Sequence, residues 1–178
     1  MRIGTKSLLF GAHQFALHPL FLALAWGKLY GLPLDPRLWV AFVVHDWGYW
    51  GKSDMDGDEG QSHPELGGRI MARLFGQEWG DFTRLHSRYY AKREGRAPSP
   101  LCAADKLVLL VTPRLLYLPS VRATGEAVEY RALYAAWLNV EDVTLEAWYD
   151  GLRENWHAEV CRLAPRTAYA LAASEETG

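Results

Sequence analysis

The chain has 178 residues, 49% of them hydrophobic and 22% charged, which is enough to bury a core and excludes a disordered or fibrous protein. Its 19 basic and 21 acidic residues give a net charge of −2, so nothing attracts it overall to a nucleic acid polymer or an anionic membrane. Two cysteines, Cys102 and Cys161, are too few for a disulfide framework and have no CxxC spacing, so the expected setting is the reducing cytoplasm.

The apolar stretch from Leu8 to Trp26 superficially resembles a secretory signal peptide. It also contains His13, Gln14 and His18, whose polar groups are costly to place in hydrocarbon. We therefore interpret the stretch as part of the folded domain and expect no membrane segment.

Apolar residues recur at helical spacing along the chain, and no run of alternating β-branched residues indicates a strand, so the predicted fold is all-α. The first helix is expected over 19–30, with His18 at its start and a proline in its first turn. A second, over 37–47, has a nearly continuous apolar run and ends in His45 and Asp46.

The following segment, 48–61, is rich in glycine and aspartate and is predicted to be a loop. Ser62 and Glu65 match the S-x-x-E pattern of a capping box, which predicts the start of a third helix. The expected inward residues of that helix are Leu66, Ile70 and Leu74.

Gly76 is expected to end the third helix, and a fourth is predicted over 78–92. One face of the fourth helix would contain Phe82, His86 and Tyr89, and another would contain Arg84, Arg88 and Lys92. Further helices are predicted at 100–111, 125–138 and 143–163. The whole is expected to be one domain over 1–171, a bundle of about seven helices, followed by a disordered tail over 172–178.

Asp105 is the only acidic residue in the apolar run from Leu101 to Val111. A buried carboxylate is costly unless it is paired or bound to a metal. The alternative is that Asp105 lies on an exposed stripe of its helix beside Lys106. Asp46 has the same feature, because it closes an apolar run.

Five of the six histidines lie in the first half of the chain, at positions 13, 18, 45, 63 and 86. A lone histidine on an apolar face is more often a hydrogen-bonded core residue than a ligand. Several of them together with two carboxylates in apolar settings indicate a metal site of imidazole and carboxylate ligands.

These residues resemble the HD-domain superfamily, which is named for an adjacent His-Asp pair. Its members are helical metal-dependent phosphohydrolases, with a smaller group of di-iron oxygenases. The resemblance covers about 15–112 and rests on His18, on His45-Asp46 within Val-Val-His-Asp-Trp-Gly-Tyr, and on Asp105 within Ala-Ala-Asp-Lys-Leu. His63 and His86 give the pattern H…HD…H…H…D, which is similar to the six-ligand version of the family.

The resemblance implies one or two divalent metal ions, of Fe, Mn, Mg, Co, Ni or Zn. One ion would take His18, His45, Asp46 and Asp105; the other would take His63, His86 and a bridging Asp46. His13 is an alternative to His18, which we prefer for the apolar register that follows it.

The implied function is hydrolysis of a phosphomonoester or nucleotide-like substrate by a metal-activated water, with Asp46 at the centre. Fixed positive charge for a phosphate would come from Lys52, Arg88 and Lys92, with Lys106 and other cations after His86 as further candidates. The basic residues after His86 are equally consistent with a solvated helix stripe.

The alternatives are a di-iron oxygenase acting on a small substrate and a non-catalytic regulatory domain that binds metal. The expected partner is a small phosphorylated molecule. The sequence is also consistent with a homodimer. The region 114–163 lies outside the resemblance, and its aromatic residues would complete the core, cover the pocket or form a dimer contact.

Overall fold

The computed structural model describes residues 1–164, which form ten α-helices and no β-strand. The all-α class is therefore confirmed, while the count exceeds the predicted seven. The predicted tail over 172–178, and the domain end at 171, lie outside the described residues. No helix within 1–164 has the combination of length and apolar character needed to cross a bilayer.

The helices are α1 (Ile3–Phe10), α2 (His18–Tyr30), α3 (Pro36–Val44), α4 (Pro64–Phe75), α5 (Gln77–Arg84), α6 (Arg88–Arg93), α7 (Pro100–Val111), α8 (Arg114–Thr124), α9 (Glu126–Leu138) and α10 (Leu145–Leu163). Two short 3-10 turns, Trp47–Tyr49 and Gly60–Ser62, lie in the segment between α3 and α4.

Helix α7 is the central element, because α2 and α10 both pack against it. Its Leu101 and Leu107 are buried with Leu22 of α2, Phe42 of α3 and Val160 of α10. A second buried cluster joins the far end of α7 to α8, α9 and α10. Asp105 thus stands on the helix that both clusters share.

Helices α1 and α8 were not predicted from the sequence, and they pack against each other. Helix α8 contains Pro119, which removes one backbone hydrogen bond and is typical of a helix break. The buried side chain of Val121 anchors the helix in the second cluster, and this burial compensates for the missing bond.

The single helix predicted over 78–92 is wrong, because the chain forms α5 and α6 with a break at 85–87. Ser87 caps α6 by accepting a hydrogen bond from the backbone N–H of Tyr90. The break turns His86 inward and leaves Tyr89 exposed, so these two residues do not share a face as predicted.

The predicted capping box is also wrong. Helix α4 begins at Pro64, and the Ser62 hydroxyl donates to the Glu59 carbonyl oxygen instead of capping the helix. Leu74, predicted to point inward, is 57% exposed. Helix α3 ends at Val44, three residues earlier than predicted, and leaves His45 at its C-cap.

Candidate metal centre

The six predicted ligands converge although they come from five separate parts of the chain. His18 opens α2, His45 and Asp46 follow α3, His63 precedes α4, His86 lies between α5 and α6, and Asp105 lies in the middle of α7. The four histidines and Asp46 are buried, and the Asp105 side chain is 13% exposed. The fold therefore gathers polar side chains where apolar ones would otherwise pack.

The first set of ligands, which we name the helix-held group, comprises His18, His45, Asp46 and Asp105. The Nε2 atoms of His18 and His45 are 3.3 Å apart. Asp46 Oδ2 lies 3.1 Å from His45 Nε2 and 3.5 Å from His18 Nε2, and Asp105 Oδ1 lies 3.4 Å from His18 Nε2.

The second set, the turn-held group, comprises Asp46, His63 and His86. The Nε2 atoms of the two histidines are 3.2 Å apart, and they lie 3.6 and 3.5 Å from Asp46 Oδ1. Asp46 thus directs one carboxylate oxygen toward each group.

Backbone carbonyls fix three of the four imidazole rings. His45, His63 and His86 each place Nδ1 at 3.0, 2.7 and 2.6 Å from the carbonyl oxygen of the residue three positions earlier. A carbonyl oxygen only accepts hydrogen bonds, so Nδ1 is the protonated nitrogen and donates. In the neutral ring Nε2 then presents a lone pair, as in metal-binding histidines.

This arrangement fits a cation. The Nε2 lone pairs of His63 and His86 face each other at 3.2 Å, and both nitrogens lie within 3.6 Å of the buried Asp46 Oδ1. Such convergence of acceptors is unfavourable unless positive charge lies between them. Within each group the ligand atoms lie within 4.8 Å of one another, so these residues could hold a metal ion.

The electrostatics of the two groups differ. Burial lowers the pKa of His45, but the negative charges of Asp46 and Asp105 outweigh it and raise that pKa to about 10. At His63 burial dominates and lowers the pKa to about 3. Burial also lowers the pKa of His18, so within the helix-held group only His45 has a raised pKa.

His13, the alternative to His18, belongs to neither group. Its Nδ1 lies 2.8 Å from the Ser7 hydroxyl, which donates to the buried carboxylate of Glu126. The structure therefore places His18, and not His13, among the converging ligand atoms.

The predicted cations divide between two places. Arg88, Lys92 and Lys106 line a cavity of about 280 Å³ that opens onto the ligands. Lys52 lines a different cavity, and its ammonium donates to the Ser62 hydroxyl. Lys52 is therefore not brought to the mouth of the candidate metal centre.

The sequence left three roles open for the aromatic side chains of 114–163, namely to complete the core, to cover the pocket or to form a dimer contact, and several of them line a cavity beside the helix-held group. Tyr117, Tyr130 and Trp148 are among them. Aromatic residues at helical spacing are typical of a core, so the pattern alone gave no reason to choose the pocket.

No family model, curated protein or solved structure matches the chain. The buried cluster of histidines and aspartates is compatible with an HD-type site. The likeness to that superfamily rests on the ligand pattern.

Proposed function

We propose that the protein is a metal-dependent phosphohydrolase acting on a phosphomonoester. One observation carries the proposal: two ligand groups share Asp46 and open into a cavity that is also lined by three cations. A pair of ligand groups suits two metal ions, and cations beside them suit an anionic substrate.

The chain's own residues would bind the phosphoryl group. Lys92 is exposed and has no ion pair within 1–164, so its charge is available to a phosphate oxygen. Arg88 is partly engaged, because its guanidinium lies 3.3 Å from the carboxylate of Glu159. Lys106 lies 3.1 Å from Asp105 Oδ2, which fixes its ammonium beside the helix-held group.

The same residues would position the metal ligands. The backbone hydrogen bonds to Nδ1 hold the imidazoles so that Nε2 points into the site without rearrangement. Divalent metal ions, when bound, would supply an activated water and neutralise charge on the phosphoryl oxygens.

The test combines metal analysis with phosphate release. The full-length protein is purified without added metal, its metal content is measured, and phosphomonoesters and nucleotides are assayed with Mn²⁺, Mg²⁺, Co²⁺ and Ni²⁺. We expect metal-dependent release of inorganic phosphate that is lost in Asp46→Ala. The matched control is Asp58→Ala, since Asp58 is exposed and lines none of the described cavities.

Two outcomes would overturn the proposal. Two equivalents of iron with a visible oxo-bridge absorption band, and no phosphate release, would identify a di-iron oxygenase instead. No turnover of any substrate with any of the four metals would favour a regulatory metal-binding domain.

A further inference from the structure

A cavity of about 470 Å³ leads from the helix-held group into the region formed by α8, α9 and α10. Its metal end is lined by His18, Asp105 and Lys106. We name the remainder the aromatic chamber, lined by Tyr117, Tyr130, Tyr134, Trp137, Trp148 and Trp156. The volume lies in the range of roughly 300 to 1,000 Å³ that is usual for small-molecule sites.

The walls of the chamber are flat aromatic surfaces. The rings of Tyr130 and Trp148 are nearly parallel, at 11° and 6.1 Å between centroids, and Tyr117 lies at 24° to Trp148. Aliphatic side chains such as Leu133 and Leu152 line the same space. These walls favour an apolar, planar group over a hydrated one.

Positive charge is concentrated where the chamber meets the metal end. The Lys106 ammonium and the Arg88 guanidinium lie 4.9 and 5.0 Å from the ring centroid of Trp156. Trp156 therefore marks the junction between a site for an anion and a site for an apolar body. A ligand that fills both has one charged end and one apolar end.

Two phenols are available to the ligand. No hydrogen bond within 1–164 reaches the hydroxyl of Tyr117 or Tyr130. Burial raises the pKa of both, so both keep their protons near neutral pH and can donate. Away from the metal end, other polar side chains that line the cavity are His13, Tyr49, Asp56, Tyr134 and Asn155.

We infer that the substrate is a phosphate monoester of a ring-bearing, largely apolar alcohol, whose organic part occupies the aromatic chamber. The inference rests on the proposed function and narrows its substrate class. Hydrolysis breaks the bond between phosphorus and the ester oxygen. Water supplies the hydroxyl to phosphorus and a proton to the departing alcohol, so no oxidant or reductant is required.

The test measures binding separately from turnover. Isothermal titration calorimetry on the full-length protein loaded with Mn²⁺ compares naphthylmethylphosphonate, which cannot be hydrolysed, with methylphosphonate. We expect naphthylmethylphosphonate to bind at least about tenfold more tightly, because only it fills the chamber. Equal affinity for the two, or tighter binding of a nucleoside phosphonate, would overturn the inference.

Substitutions in the chamber test its role directly. Trp137 is 68% exposed and lines the chamber, so Trp137→Ala should fold and weaken naphthylmethylphosphonate binding by about three- to tenfold. The matched control is Trp50→Ala, since Trp50 is 64% exposed and lies outside the chamber. Leu152→Trp should fill the chamber and abolish the preference for the naphthyl compound while methylphosphonate binding stays the same. An unchanged preference in both chamber variants would contradict the assignment.

Failure of this inference is distinguishable from failure of the proposed function. Release of phosphate from methyl phosphate as rapidly as from naphthylmethyl phosphate would overturn the substrate class and leave the phosphohydrolase standing. Tight binding of naphthylmethylphosphonate without hydrolysis of any phosphomonoester would support the chamber and overturn the hydrolase.

Discussion

The two ligand groups share Asp46 but are held in place by different means. In the helix-held group, His18 and Asp105 lie on α2 and α7, which pack against each other in the main core. In the turn-held group, His63 and His86 lie outside helices and are fixed by hydrogen bonds to carbonyls of their own turns. Core packing thus supports two of the four ligands of the helix-held group, whereas His45 is fixed, as His63 and His86 are, by the backbone carbonyl three residues earlier.

The groups also differ in charge. The helix-held group has two carboxylates for two imidazoles, while the turn-held group has one shared carboxylate for two imidazoles. We therefore expect the helix-held group to bind a divalent cation more tightly.

The largest effect is expected from removing Asp46, the ligand that the two groups share. Asp46→Ala deletes one carboxylate oxygen from each group, so both should lose metal. Metal analysis after dialysis against Mn²⁺ should show content reduced by at least about tenfold relative to wild type. Circular dichroism checks that the variant is folded. Full metal loading in this variant would show that the metal centre lies elsewhere.

The next largest effect is expected from substitutions that remove the cation of one group at a time. Asp105→Ala should remove the helix-held cation and His86→Ala the turn-held cation, so each variant keeps one site. Electron paramagnetic resonance with Mn²⁺ would show a coupled pair in wild type and an isolated ion in each variant. Because the helix-held group is the more anionic, His86→Ala should keep its ion at lower free Mn²⁺ than Asp105→Ala. The reverse order would contradict the electrostatic comparison.

The local structure around the ligands could be predicted from the sequence better for the helix-held group than for the turn-held group. The ligands of the helix-held group are polar residues at the ends or in the middle of strongly apolar helices, and such residues stand out against their neighbours. For the turn-held group the periodicity of Phe82, His86 and Tyr89 ran unbroken through the segment, so one long helix was predicted. The hydrogen bond by which Ser87 caps α6 marks the point where the predicted helix is interrupted. The spacing of apolar residues does not reveal a capping hydrogen bond of this kind.

The aromatic chamber could not be distinguished from a solid core in the sequence, and the reason is a different one. Tyr130 and Trp148 occupy helical positions that a solid core would use equally well, and only the packing of α8, α9 and α10 shows that a cavity remains beside these two side chains. Whether such side chains fill a core or line a cavity depends on tertiary contacts far apart in the sequence.

A smaller effect, mainly on the metal affinity of the turn-held group, is expected from a substitution at Gly48. A Cβ atom at Gly48 would lie 2.6 Å from the carbonyl carbon of His63 and 2.7 Å from its Cα, so Gly48→Ala must displace either His63 or the turn that contains Gly48. We expect the Mn²⁺ affinity of the turn-held group to fall by about tenfold, and that of the helix-held group, which shares only Asp46, to fall less. The control is Gly27→Ala, where an added Cβ meets nothing within 4 Å. Equal loss from both groups would mean that they are not supported independently.

The smallest effect concerns the contact between the helices that flank the turn-held group. The Tyr90 hydroxyl of α6 donates to Glu65 Oε1 of α4 at 2.5 Å. Tyr90→Phe removes this hydrogen bond to a charged acceptor and should lower the free energy of unfolding by about 1 to 2 kcal/mol in urea denaturation at pH 8. Metal affinity of the helix-held group, which neither residue contacts, should not change.

The pH dependence of that loss identifies its cause. Burial and the neighbouring carboxylate of Glu65 raise the pKa of Tyr90 to about 12 in the folded protein, compared with about 10 in the unfolded chain. A raised pKa means that the stabilisation is fully present below pH 10 and is lost as the pH rises toward 12. The stability difference between wild type and Tyr90→Phe should therefore shrink when measured at about pH 11. A difference that stays constant between the two pH values would show that lost packing, and not the hydrogen bond, accounts for the destabilisation.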